Sequence, residues 1–259
     1  MNAPACQVFF DKWLAMEPWH RLLLVFEPPA RRVSRMLLEC IGFELRQAAL
    51  TRSDARVSGA KLDWWLREWE RAESGEPQHP LTRALPSVPG GVAAAGQHWV
   101  HAAARLADEE SPPGLPDLLA RWRHFADRQA QLSAAWLPDC VQAPDLHAFA
   151  LAGEQLPRAA AELAHGRLPL PLSLLARLGL TRARLREDAT AATTALAAHA
   201  GELLAAQPQA RDEHDGYRRR QVVLARLRLS EAQRRPARVW AGDVRLPPLR
   251  AALAVWRAR

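Results

Sequence analysis

Between residues 55 and 73 the apolar positions recur with the period of an α-helix. Leu62, Trp65, Leu66 and Trp69 fall at i, i+3, i+4 and i+7, which is one helix face. Asp63, Arg67 and Glu70 point away from that stripe, and Asp63 is placed to meet Arg67 at i+4. Trp64 lies off the stripe and needs a partner of its own. In "AESGEPQHP", Gly75 and Pro77 stop the helix. A stripe carrying this many indoles is either core filling or the wall of an apolar cavity for a hydrophobic or cationic ligand. Periodicity does not separate the two.

Prolines and short polar runs cut the rest of the chain into helical blocks. They predict helices at about 5–16, after Pro28-Pro29 through "ARRVSRMLLECIGFELRQAAL", at about 90–109, and over "LLARWRHFADRQAQLSAAWL" with Asp117 near its start. A helix at about 144–165 is bent or interrupted by Pro157. "GRLPLPLSLLARLGL" links into a short helix, and Thr181 is placed to cap the alanine-rich "RARLREDATAATTALAAHAGELLAAQ". Two more helices follow near 216–235 and 246–258. No segment alternates with the period of a strand, and no helix keeps a heptad long enough for a coiled coil. The expectation is an all-α chain in a single domain over residues 1–259.

Composition agrees: alanine, leucine and arginine dominate, glycine numbers 13 and tyrosine one. The formal net charge is +7, and only Lys12 and Lys61 are lysines. A basic balance is compatible with nucleic acid, an anionic membrane surface or a phosphorylated ligand. The arginines are spread along the chain, with short clusters only at "PARRVSR" and "YRRRQ", which argues against nucleic acid. Cys6, Cys40 and Cys140 have neither metal nor disulfide spacing, so a reducing, cytoplasmic setting is expected. The N-terminal stretch does not read as a signal peptide, and no run of 18 uncharged apolar residues is present. "RLLLVFEPP" reads as core, with peripheral membrane contact as its other use.

No Walker loop, GxGxxG, HExxH or GxSxG occurs. His98 and His101 have ligand spacing but no paired carboxylate or cysteine, so no metal site is assigned to them. "RDEHDGYRRR" at 211–220 reads as a solvated helix start. Helical enzymes acting on diphosphates place aspartates at i, i+4 to chelate Mg²⁺, and no DxxxD occurs in this chain.

"GAKLDWWLREWERAESGEPQHPLTRAL" resembles the squalene/phytoene synthase family, whose members read roughly R-L-x-W-W-R-E, an acidic helix end, then H-P and an apolar run. "GRLPLPLSLLARLGLTRARL" resembles the same family's G-R-x-Y-L-P-x-D-L-L-x-x-x-G segment. "RLLLVFEPPARRVSRMLLECIGFEL" and "RLPPLRAALAVWRAR" are similar to its opening and closing helices. The resemblance implies an isoprenoid-synthase-like helical bundle around a central apolar cavity, with two aspartate-rich motifs binding Mg²⁺ and diphosphate at its mouth. On that scheme Trp65 and Trp69 belong to a helix of the cavity, and Arg158, Glu162 and Arg167 to the substrate-binding mouth.

The chain departs from the family at both aspartate motifs. The slot of the first reads "IGFELRQAALTRSDARV", whose acids Glu44 and Asp54 are ten residues apart and cannot share one ion on a regular helix. Counting back from Gly166 and Arg167, Glu162 matches the last acid of the second motif, and Arg158 stands where its first aspartate belongs. Pro169 replaces the family's tyrosine and Ser173 its later aspartate. Arg158 and Glu162 are placed to pair at i, i+4. The expectation is therefore a catalytically degenerate protein with no catalytic residues and no metal or other cofactor. It would act by binding a prenyl diphosphate, another isoprenoid lipid or a protein partner. Some non-catalytic relatives similar to this branch serve as assembly factors for respiratory complex I in mitochondria. The alternative is an active Mg²⁺-dependent prenyltransferase of isoprenoid or carotenoid synthesis.

Overall fold

A computed structural model describes residues 3–50, 55–86, 90–108, 111–164, 167–211, 214–243 and 246–258. In these residues the chain is helical and no strand occurs. The helices are α1 (Ala3–Met16), α2 (Trp19–Val25), α3 (Pro29–Leu50), α4 (Ala55–Glu73), α5 (Pro80–Arg83), α6 (Val92–Asp108), α7 (Leu115–Ser133) and α8 (Pro144–Glu154). After a 3-10 turn at Leu156–Arg158 come α9 (Ala159–Ala164), α10 (Leu172–Leu178), α11 (Arg182–Glu187), α12 (Ala189–Ala205), α13 (Gly216–Arg234), α14 (Pro236–Trp240) and α15 (Pro248–Arg257). None of them is long and apolar enough to cross a membrane.

The chain divides into two compact units, Met1–Asp108 with His124–Gln142, and Glu109–Arg123 with Ala143–Arg259. In the first, α3 packs against α1, α4, α5 and α6. Its buried face carries Leu37, Leu38, Ile41, Phe43 and Leu45, and Trp13, Trp69 and Trp99 fill the space around it. Gly42 admits Trp99, because a Cβ there would lie 2.9 Å from the indole. Leu23 and Leu24 of "RLLLVFEPP" are buried, as a core segment requires. Arginine serves the interior too: Arg46 Nη2 donates to both Glu17 oxygens at 2.9 Å, and Arg35 lies fully buried 3.5 Å from Glu27. Part of the "PARRVSR" cluster is thus structural, not a free basic surface.

In the second unit α8, α12 and α13 pack together, and a leucine cluster of Leu163, Leu168, Leu170, Leu175 and Leu185 closes on Ala192 and Ala195 of α12. The Pro157 interruption falls as expected, giving α8, the 3-10 turn and α9. Thr181 caps a different helix from the expected one. Its Oγ1 accepts from Arg184 N at 3.1 Å and starts only the six-residue α11. Asp188, in extended conformation, then accepts from Thr190 N and Ala191 N and starts the alanine-rich α12. Two consecutive cap signals make two helices where alanine content alone suggests one. α14 was likewise not expected: Pro236 at its first turn ends α13 at Arg234 and begins a new helix.

Candidate functional site

The site is built on α4. Leu62, Trp65 and Trp69 are buried, Leu66 is half-buried, and Asp63, Arg67 and Glu70 are exposed, as the periodicity predicts. The tryptophans differ in role. Trp69 lies flat on α6 at Gly96, where a Cβ would come within 2.2 Å of indole Cδ2, so its place depends on the missing side chain. Trp69 is core. Trp65 instead lines an open cleft with Trp64, which meets it edge-on at 5.5 Å. Trp64 also finds the partner it needs in Arg71, whose guanidinium lies 5.3 Å from its ring centroid.

Glu68 stands at the edge of the same apolar stripe and is fully buried. Its Oε1 accepts from Gln78 N at 2.9 Å, His79 N at 2.7 Å and Thr82 Oγ1 at 2.5 Å, while Arg71 donates to Oε2 at 2.9 and 3.1 Å. Burial pushes this carboxyl up, but the hydrogen bonds from Thr82, His79, Arg71 and Gln78 outweigh it and hold it below the usual glutamate range. The helix stops at Gly75, whose φ of 82° few other residues adopt, and the carboxylate folds the following turn back onto α4. That turn delivers His79.

His79 caps α5 by accepting from Leu81 N at Nδ1, 3.1 Å away, so the neutral ring carries its proton on Nε2. The ring packs against Phe9 at 4.5 Å, Trp65 at 4.8 Å and Trp64 at 5.7 Å. Burial lowers its pKa to about 4, with Glu68 opposing and Lys12 reinforcing the shift. At neutral pH it is an uncharged imidazole with one N–H.

The cleft has a volume of about 800 Å³, within the roughly 300–1,000 Å³ of small-molecule sites. α3 contributes Glu44, Gln47 and Ala48, α4 contributes Val57, Ala60, Lys61, Trp64 and Trp65, and Lys12 and His79 complete it. Both lysines of an otherwise arginine-only chain face this one space. Lys12 Nζ donates to the two Glu44 oxygens at 2.8 and 2.9 Å and lies 5.7 Å from the Phe43 ring centroid. Lys61 is exposed. With two ammonium groups against one carboxylate, aromatic walls and a neutral imidazole, the arrangement suits a ligand with an apolar body and an anionic head. The described residues do not fit Mg²⁺, which needs several hard oxygens: among them the cleft's lining offers one carboxylate, and both its oxygens hold an ammonium.

The other sequence-predicted residues lie in the second unit. Arg158 ends the 3-10 turn, and Glu162 is in α9. Arg167 N donates to Glu162 O at 2.9 Å, and the Arg167 guanidinium pairs with the Glu162 carboxylate, both side chains being about one-fifth exposed. The Glu162 carboxylate therefore serves Arg167 in closing the end of α9, where Arg186 also donates to Leu163 O. Asp54 and Gly166 lie outside the described residues. His98 and His101 are exposed on α6. Sequence reasoning missed Glu68, His79, Lys12 and Lys61. Two signals were present: an acid at the edge of an apolar stripe, and two lysines where every other strong base is arginine.

No protein-family model and no curated protein matches the sequence. The three-dimensional structure does have counterparts. It is similar to a crystal structure of a dehydrosqualene synthase in complex with ligand, with a TM-score of 0.64, 15% identity, and 98% of this chain and 97% of that one covered. It is also similar to the squalene synthase HpnC from Alicyclobacillus acidocaldarius, with a TM-score of 0.54, 18% identity, and 99% and 95% covered. Identities this low speak to architecture, and coverage this complete makes it the architecture of the whole chain: an all-α fold of the squalene/phytoene synthase type.

Proposed function

We propose that this protein is a non-condensing version of the squalene/phytoene synthase fold that binds an isoprenoid lipid with an anionic head, such as a prenyl diphosphate, without a divalent metal. One observation carries the reading. Glu44, one of the two acids in the slot of the family's first aspartate motif, holds the Lys12 ammonium with both oxygens at 2.8 and 2.9 Å. The cation at that place is thus a side chain. Lys61 adds a second positive charge on the cleft's lining. Such a cleft attracts a phosphate directly, whereas a pair of free carboxylates would repel it until a metal ion intervened. Trp64 and Trp65 offer apolar surface to the prenyl chain. The expected contact of Arg158, Glu162 and Arg167 with a ligand is not part of this reading, which rests on the first unit alone; in the second unit Glu162 pairs with Arg167.

The test is calorimetric titration of farnesyl diphosphate into the protein in EDTA, and again with Mg²⁺, with product analysis of the second mixture. Binding of equal strength in both, with no squalene or phytoene-type product, is expected. Lys61→Ala should weaken binding by about tenfold, the loss of one charge-assisted contact. Mg²⁺-dependent formation of a head-to-head product would replace this reading with that of an active prenyltransferase.

A further inference from the structure

The α3–α4 cleft lies within the first unit, and the charge on its lining limits the head of its ligand more closely than sign alone. Among the described lining residues are two ammonium groups and one carboxylate. Lys12 and Glu44 neutralise each other, with the ammonium on both carboxylate oxygens. Lys61 is exposed and has no ion pair and no hydrogen bond among the described residues. One positive charge is therefore left for a ligand. Its place follows from α4: Val57, Ala60, Lys61 and Trp64 recur at i, i+3, i+4 and i+7, a second helix face beside the one that carries Trp69. Lys61 stands one turn, about 5.4 Å of rise, before the Trp64–Trp65 pair. His79 packs on both of these indoles, and its Nε2–H makes no hydrogen bond among the described residues. Burial keeps the ring uncharged at neutral pH, so it adds a donor without adding charge.

We propose that the head selected by this cleft is a single carboxylate. The inference rests on the anionic-lipid reading above and narrows it. Lys61 matches the one negative charge, the Lys61 ammonium and the His79 N–H meet the two oxygens, and the apolar tail lies against Trp64 and Trp65. A diphosphate is attracted too, but its charge is in excess. A phosphate monoester already carries about −1.5 to −2 at pH 7, and a diphosphate carries more. The surplus finds no second free cation among the described lining residues, and the Glu44 carboxylate on the same lining repels it. The desolvation of that surplus is then not offset. An alcohol fails in the other direction, because it leaves the Lys61 charge unmet.

The test is calorimetric titration at pH 7, in EDTA, of three ligands with the same tail: farnesoic acid, farnesyl diphosphate and farnesol. Farnesoic acid is expected to bind most tightly, with farnesol weaker by about tenfold. Lys61→Glu reverses the free charge at an exposed position. It should lower the affinity for farnesoic acid by about tenfold or more, and leave both farnesol binding and melting close to the original. His79→Ser keeps a side-chain acceptor for Leu81 N and removes the Nε2–H. It should weaken farnesoic acid by a larger factor than farnesol, whereas loss of ring packing alone would weaken both equally. Dodecanoate, the same head on an unbranched tail, separates the two sources of such a head. Weaker binding than farnesoic acid assigns an isoprenoid acid and stronger binding a fatty acid, and the carboxylate inference stands in both cases. Farnesyl diphosphate binding as tightly as farnesoic acid, or more so, would overturn the carboxylate inference and leave the anionic-lipid reading standing. An unchanged farnesoic acid affinity in Lys61→Glu would do the same. Equal binding of farnesol and farnesoic acid, or no binding of any of the three, would overturn both.

Discussion

Replacing Glu68 by alanine removes in one step the acceptor that organises the turn carrying His79. Five donors lose this acceptor: Gln78 N, His79 N, Thr82 Oγ1 and two nitrogens of Arg71. Arg71 is 24% exposed on its side chain and can turn to water, and exposed Gln78 can do the same, so their shares are small. The Thr82 hydroxyl can turn fully to His79 O, 3.0 Å away, but the His79 N–H loses its acceptor, and a buried donor left unmet costs about 1–3 kcal/mol. Adding the lost anchorage of the turn, Glu68→Ala should cost about 3–4 kcal/mol, a fall in Tm of roughly 6–15 °C for a chain of this size. Glu68→Gln keeps one oxygen for the turn and loses the charge facing Arg71, so about 1–2 kcal/mol is expected. The carboxyl's pKa lies below its ordinary value of 4.5, so its stabilising share is complete above that value and is lost as pH falls through the folded-state pKa. The gap between the unaltered chain and Glu68→Gln should close below about pH 4.5. Thermal melting followed by circular dichroism reads all of this. A cost of Glu68→Ala under about 1 kcal/mol would refute the claim that this carboxylate holds the turn.

Gly96→Ala should destabilise by about 1–3 kcal/mol or more, because the added methyl enters the Trp69 ring; an unchanged melting temperature would mean that α4 and α6 are not in this contact. His79→Asn keeps a side-chain acceptor for Leu81 N but removes the ring from Phe9 and Trp65, so titration of farnesyl diphosphate should show weaker binding in a protein that melts within a few degrees of the original. His199 is fully buried on α12, and neither ring nitrogen has a hydrogen-bond partner among the described residues. His199→Leu should therefore stabilise by about 1 kcal/mol at pH 7. Burial lowers the His199 pKa from 6.5 to about 4, so in the unaltered chain stability is lost as pH falls between those values. Urea denaturation at pH 7 and pH 5 should show the advantage of His199→Leu widening on acidification, and a constant difference would remove this histidine as a source of acid sensitivity.

The sequence by itself determined the all-α class, most of the longer helices and the buried face of α4, but not the split of α11 from α12 or the short α14. Those properties follow from short-range rules, and a 3.6-residue period, a glycine with positive φ and a proline act within a turn of where they stand. The Trp64–Trp65 pair and "QHP" marked the right stretch of chain. What the sequence did not determine was which of its polar residues share a space. Lys12, Glu44, Lys61 and His79 come from four separate places along the chain, and none has a spacing that singles it out. Only the packing of α3 against α4, with the Glu68-held turn, brings them to one cleft and gives the Glu44 carboxylate to Lys12. Trp65 and Trp69 show the same division on a single helix face. Periodicity makes both buried, but the missing Cβ of Gly96 sends Trp69 into the core and leaves Trp65 to line the cleft. That contact joins residues 27 apart in sequence, and a local pattern carries no record of a contact at such range.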